Sequence, residues 1–298
     1  MILRIIFAAL IAVLPLAANA FEVFACEPEW ASLVREIAGE DIQVTTATTA
    51  FQDPHYVQAK PSLIAAARNA DLLICSGADL EIGWLPLLLR RAGNAAIQPG
   101  SPGNFVAADF VRRIEIPKVV DRSGGDVHPQ GNPHIHLSPR NIERIAKALG
   151  ERLIRINAGD ADNIQNGLDD FLMRWDEATG RWEDEGESLR GMRLVAHHTS
   201  FSYLADWLNL DIVATLEPKP GVPPSGAYLS KLLAQLQASP PAAIIRTPYQ
   251  NEKPSLWLAE RVGTPAIVLP FTVGGTPQAT DLFSLYDETI RLLREQQR

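Results

Sequence analysis

The chain has 298 residues, of which 46% are hydrophobic, and its 35 acidic against 27 basic side chains give a formal charge of −8. That much apolar residue on so long a chain supports one or two folded domains, which excludes a disordered or fibrous polymer. The acidic balance, without any basic cluster, excludes nucleic acid and anionic lipid as partners.

Residues 1–20 carry one early positive charge, Arg4, then an apolar run over 5–16, and finish in Ala18-Asn19-Ala20. This is the pattern of a cleaved export signal, ending in the small-x-small site of a signal peptidase. A membrane-spanning helix needs about 20 apolar residues, and the run is shorter. The expectation is a periplasmic protein whose mature chain starts near Phe21, one charge more negative for the loss of Arg4. Cys26 follows no Leu-x-small triplet of the kind that precedes a lipid-modified cysteine, so no lipid anchor is expected.

Residues 21–26, 42–46 and 71–76 read as strands, 28–38, 61–68 and 82–91 as helices, and 118–120 as a short further strand. The βα alternation implies a parallel sheet with helices on both faces. The two cysteines, Cys26 and Cys75, end the first and third strands. An even count in an exported protein favours a disulfide. With strand order 2-1-3-4 both fall at the carboxyl ends of neighbouring strands, within bridging range.

Residues 141–156 repeat Ile142, Ile145, Leu149 and Leu153 at the spacing of one buried helical face. Residues 160–189 are densely charged, with a sparse stripe of Ile164, Leu168, Leu172 and Trp175. Such a segment reads as a rigid, solvent-bridging helical connector. A second βα set follows, with strands at 192–196, 212–216, 242–246 and 265–269 and helices at 202–208, 227–237, 254–262 and 279–295. The expected architecture is α/β: two lobes with parallel sheets flanked by helices, joined by one long helix. Its parts are the signal peptide 1–20, an N-terminal metal-binding lobe 21–157, a linker helix 158–189 and a C-terminal metal-binding lobe 190–298.

The six histidines avoid every helix body: His55, His128, His134, His136, His197 and His198. Imidazole is the commonest protein ligand for borderline divalent metals. In open parallel sheets ligands sit beyond the carboxyl ends of the strands. His55, His134, the pair His197-His198 and Asp281 all fall at that end, so a cleft between lobes would collect them. In extended chain His134 and His136 share a face, while the neighbours His197 and His198 point oppositely, so one of that pair is a bystander. His128, in the polar loop 121–130, is a marginal donor.

Asp53-Pro54-His55, Asn132-Pro133-His134 before Ser138-Pro139-Arg140-Asn141, His198-Thr199-Ser200-Phe201-Ser202-Tyr203, and Gly274-Gly275-Thr276 followed by Asp281 fall in this order. Together they resemble the zinc/manganese substrate-binding proteins of ABC importers, the ZnuA/TroA type, and within it most the AztC subfamily. The resemblance covers essentially the whole mature chain. It implies one metal at the interface of two lobes, held by His55, His134, His198 and Asp281, with His136 and His197 outside the ligand set. Three imidazoles and a carboxylate suit tetrahedral Zn²⁺, whereas Mn²⁺ takes more oxygen ligands. The partners implied are a membrane permease and a periplasmic zinc chaperone, with the protein itself a monomer and not an enzyme. Where many zinc-specific relatives carry a long His/Asp-rich loop, this chain has only residues 121–130 with His128. Loading is expected to move loops and shift lobes slightly. A zinc hydrolase is the rival reading; it lacks support from any His-Glu-x-x-His or Gly-x-Ser-x-Gly sequence.

Overall fold

The computed structural model describes residues 20–119 and 124–297. The proposed signal peptide therefore lies outside the described residues, apart from Ala20. Two four-stranded parallel sheets organise the chain. In the first, β1 (Glu22–Ala25) lies between β2 (Gln43–Thr46) and β3 (Leu72–Cys75), and β3 pairs with β4 (Asn104–Val106). The second repeats this order with β5 (Arg193–Ala196) between β6 (Asp211–Thr215) and β7 (Ala243–Arg246), and β8 (Ala266–Val268) at the edge. The central strands β1, β3, β5 and β7 are almost wholly buried, as their continuous apolar runs require of strands covered on both faces.

The helices α1 (Pro28–Ala38), α2 (Pro61–Asn69) and α3 (Leu85–Ala92) flank the first sheet. All three carry proline in the first turn, where its missing N–H costs nothing. After α4 (Pro139–Ile156) comes the 26-residue α5 (Ala161–Gly186). The second sheet is flanked by α6 (Ser202–Leu208), α7 (Gly226–Leu236) and α8 (Glu252–Val262), and α9 (Leu282–Arg294) closes the chain.

Two expectations need correction. The fourth strand of the first sheet is β4, and Lys118 and Val119 are not strand residues; Val120 lies outside the described residues. Only Asn104-Phe105-Val106 carries β4, a run too short to stand out between Pro102-Gly103 and a following turn. The connector, likewise, is not solvent-bridging. Helix α5 buries Ile164, Leu168, Phe171, Trp175, Ala178 and Trp182 at alternating spacings of four and three, while Leu172 stands only half-buried. That face packs on α1, α4 and α9, and one apolar core runs from the first sheet through α5 to the second. The Trp175 indole donates to Pro139 O, and that of Trp182 to Asp287. Close approach of α5 to α1 needs Gly167, where a Cβ would stand 2.3 Å from Ile37 O.

Cys26 and Cys75 are joined, with Cα atoms 4.9 Å apart at the carboxyl ends of β1 and β3. The predicted strand order, 2-1-3-4, holds and brings them side by side.

Candidate metal centre

His55 sits in the loop between β2 and α2, His134 in the segment before α4, and His198 two residues past β5. Their donor nitrogens all lie within 4.8 Å of one another. Ring centroids are 5.9 Å apart for His55–His134, 6.1 Å for His55–His198 and 5.5 Å for His134–His198. His55 and His198 line a cleft of about 280 Å³ together with Asp53, Tyr56 and Glu217. Side-chain exposure is 13% for His55 and 8% for His198, and His134 is fully buried.

The two N-lobe rings are aimed by a repeated local device. In both Asp53-Pro54-His55 and Asn132-Pro133-His134 the first side chain accepts two hydrogen bonds from the histidine two residues on. Asp53 Oδ1 takes the backbone N–H of His55 at 3.0 Å and its Nδ1 at 2.7 Å. Asn132 Oδ1 takes those of His134 at 2.9 Å and 2.9 Å. Short Asx side chains turn back on their own backbone readily, and the intervening proline fixes φ and offers no competing N–H. The third ring is aimed across strands: His198 Nδ1 lies 2.7 Å from Glu217 Oε2, just past β6. Glu217 Oε2 also accepts from Gly221 N.

Because a carboxylate or amide oxygen can only accept, each Nδ1 carries a proton, which leaves Nε2 as the nitrogen available to a metal. The Nε2 of His134 is buried and without a partner. Burial, reinforced by His198, His55 and His128, holds the His134 imidazolium well below the ordinary histidine range, so the ring is neutral. Burial opposes ionisation of Asp53, yet the hydrogen bonds and charge of His55 outweigh it and keep this carboxyl below its ordinary value. Three imidazoles backed by two carboxylates and an amide form a nitrogen-rich donor set that fits a borderline divalent cation.

Asp281 is not brought to these rings. It is the N-cap of α9, where its Oδ1 accepts from Ser284 N and Ser284 Oγ in a capping box. Its neighbours are Glu36, Val273 and Thr280, in a hollow separate from the cleft. An Asp three residues before a Ser at a helix start fits a cap as well as a ligand, and the cap prevails.

The remaining histidines divide. His128 reaches the cleft, its Nε2 3.1 Å from Nε2 of His55, and burial with the nearby His55 and His198 pushes its pKa down to about 4. His197 lines the cleft beside His198 without joining the three. His136 is fully buried and faces away: its Nε2 donates to Phe271 O at 2.7 Å, and its Nδ1 lies 3.1 Å from Glu29 Oε1.

A second group of buried polar side chains sits at the end of the same first sheet. Glu27 accepts from Ser76 N and Ser76 Oγ, Glu81 accepts from Gly77 N, and Ser76 Oγ accepts from the Trp30 indole. Burial, then the proximity of Glu81 and Glu29, raises Glu27 well above the carboxylate range; burial raises Glu81 to about 7. The adjacent sulfurs of Cys26 and Cys75 are spent on each other and offer no thiolate.

Sequence reasoning missed Asn132, Asp53 and Glu217 as orienting groups. The repeated Asx-Pro-His spacing was a readable signal for the first two. Glu217 had none, because it reaches His198 only through the β5–β6 pairing.

The chain is 26% identical over 141 residues to the manganese ABC transporter substrate-binding lipoprotein PsaA of Streptococcus pneumoniae, a match covering 46% of this chain and 42% of that protein. Less than half of that relative's length is thus spanned. Identity to the iron ABC transporter substrate-binding lipoprotein MtsA of Streptococcus pyogenes serotype M1 is 20% over 249 residues, 81% of this chain and 76% of that one. The crystal structure of ZnuA has the same fold, with a TM-score of 0.73 at 19% identity over 93% of this chain and 99% of that one. So has a Mn-bound periplasmic metal binding protein from Candidatus Liberibacter asiaticus, with a TM-score of 0.73 at 16% identity over 93% and 99% of the two chains. A family model described as the periplasmic zinc-uptake complex component A, ZnuA, matches residues 23–296, and the chain belongs to this family.

Proposed function

We propose that this protein captures one Zn²⁺ in the periplasm through the Nε2 atoms of His55, His134 and His198 and delivers it to the permease of an ABC importer. The observation that carries this reading is the buried, unpartnered Nε2 of His134, set among two more imidazoles whose Nδ1 atoms are already engaged. A nitrogen-rich set favours zinc over manganese, which seeks oxygen. With Asp281 engaged as a cap, the fourth donor falls to a side chain already in the cleft, and His128 is the nearest imidazole. Within the family we place the chain with the AztC subfamily, as a monomer exported by residues 1–20 and supplied by a periplasmic zinc donor protein. Cys26, bonded to Cys75, has no free sulfur for a lipid.

The domain limits we propose are 21–157 and 190–298, with 158–189 between them. His55 and His134 then stand on one wall of the cleft and His198 on the other. The core shared through α5 restricts loading to loop movement and small shifts of the lobes. Release follows when the permease draws the walls apart and strips one ligand from the others.

Titration of chelator-stripped protein with Zn²⁺ and Mn²⁺ tests this, repeated on His55→Ala, His134→Ala, His198→Ala and Asp281→Ala. Structural zinc sites bind with about 10–16 kcal/mol. Spread over four donors, that is ~3 kcal/mol each, so each histidine variant should lose about a hundredfold or more in affinity. Asp281→Ala should keep its zinc affinity. Tighter binding of Mn²⁺, or full affinity in His134→Ala, would sink the assignment.

A further inference from the structure

We propose that Asn132 is a positioning residue that sets the spacing between the two walls of the cleft, its one carboxamide aiming His134 while gripping the backbone beside His198. The inference rests on the reading that His134 and His198 hold one ion. Asn132 is buried, and both ends of its side chain are fully used. Its Oδ1 accepts from the backbone and Nδ1 of His134, as described. Its Nδ2 donates at 2.9 Å to the carbonyl of Thr199, the residue after His198, and at 2.8 Å to Glu115 Oε2. One planar group of fixed dimensions therefore spans from a ligand of the first wall to the peptide that carries the ligand of the second.

The backbone of Asn132 is tied down from the same two sides. Its carbonyl accepts from the Tyr203 hydroxyl at 3.0 Å, and Tyr203 lies on α6 of the second lobe. The same hydroxyl accepts from Ile114 N at 3.2 Å, and Asn132 N donates to Ile114 O at 2.9 Å. Glu115, the other acceptor of the amide, has φ +54°, a left-handed conformation that a non-glycine residue adopts at a cost. A strained acceptor held by one amide donor is what a distance-setting contact requires. By comparison, Asp53 aims His55 within its own wall, and Glu217 aims His198 within the other. Among these three orienting side chains, Asn132 is the one that bonds to both walls.

N132D separates the two roles. A carboxylate keeps the acceptor for His134 but loses the donor for Thr199 O and sets like charge against Glu115. Zn²⁺ dissociation, followed by chelator competition, should quicken about 10–100-fold, the range for lost partners behind metal ligands. The stoichiometry should stay at one ion. Long-range ¹H–¹⁵N correlations should still show the His134 proton on Nδ1, a readout that general loosening of the fold would not preserve. In N132A both the proton position and the slow dissociation should be lost. The double variant N132D/E115Q removes the charge repulsion without restoring the grip on Thr199, and should still release zinc fast. Wild-type dissociation in N132D, or full recovery in N132D/E115Q, would overturn the proposal. Wild-type protein that binds no ion would instead sink the site reading on which it rests.

Discussion

At the carboxyl end of the first sheet two groups of titratable side chains are buried close together, and they are finished differently. The carboxyls Glu27 and Glu81 are enclosed with Ser76, Trp30 and the backbone of Gly77, and burial raises both, Glu27 well above the carboxylate range and Glu81 to about 7. His55, His134 and His198 each have a partner on Nδ1, while the Nε2 of His134 is buried and unclaimed. Burial of a polar atom without a partner costs about 1–3 kcal/mol. Set beside the rings of His55 and His198, such an atom points to a ligand; the Glu27–Glu81 group, Oε1 of Glu27 apart, is bonded to protein. His136, which the resemblance puts outside the ligand set, is held through Nε2 by Phe271 O, while its Nδ1 lies 3.1 Å from Glu29 Oε1.

The contrast can be broken experimentally, beginning with His136. Truncating a large buried ring to alanine costs about 3–5 kcal/mol, so His136→Ala should lower unfolding free energy by that order in urea titrations, while Zn²⁺ affinity stays within about tenfold. A collapse of zinc affinity without loss of stability would put His136 in the cleft instead. Next come the groups behind the ligands. Glu217→Gln and Asp53→Asn should each weaken zinc about 10–100-fold by calorimetric titration while melting temperature is little changed; unaltered affinity in both would mean that ring orientation is set by packing alone.

The smallest effect separates the groups by pH. Glu81 rises from an ordinary 4.5 to about 7, so the fold favours its protonated form. Its stabilising share is complete below about 4.5 and is lost as pH climbs to about 7. His128 falls from 6.5 to about 4, so the fold favours the neutral ring, and that share is lost as pH drops through the window from 6.5 to 4. Thermal melts of Glu81→Gln should therefore exceed wild type at pH 8 and meet it near pH 4, with zinc affinity at pH 8 unchanged. His128→Asn should do the reverse, with its advantage growing towards pH 4. A Glu81→Gln curve parallel to wild type across this range would show that its burial is uncoupled from folding.

Much of the fold was legible because it rests on local periodicity. Helices α1 and α6 occupy the segments read from sequence, and the cysteines reported the adjacency of β1 and β3. The connector was misjudged because counting its charges hid Phe171, Ala178 and Trp182, whose partners on α4 and α9 are distant in sequence. The same limit applies at the site. The histidine-bearing loops stood out by their place in the chain, and the choice of His55, His134 and His198 among them rested on the family resemblance, whereas the role of Asp281 turned on whether a capping carboxylate is free, which is decided at the start of α9.

The Asx-Pro-His turns have one more consequence. Each is a tripeptide that bonds its own ring locally, although Asn132 is also tied to the opposite lobe through Thr199 O and the Tyr203 hydroxyl. When an ion leaves, that local part of the grip is already set for the next, and reloading needs only the far wall to return. Rebinding can thus recur over many rounds without re-forming the whole site each time.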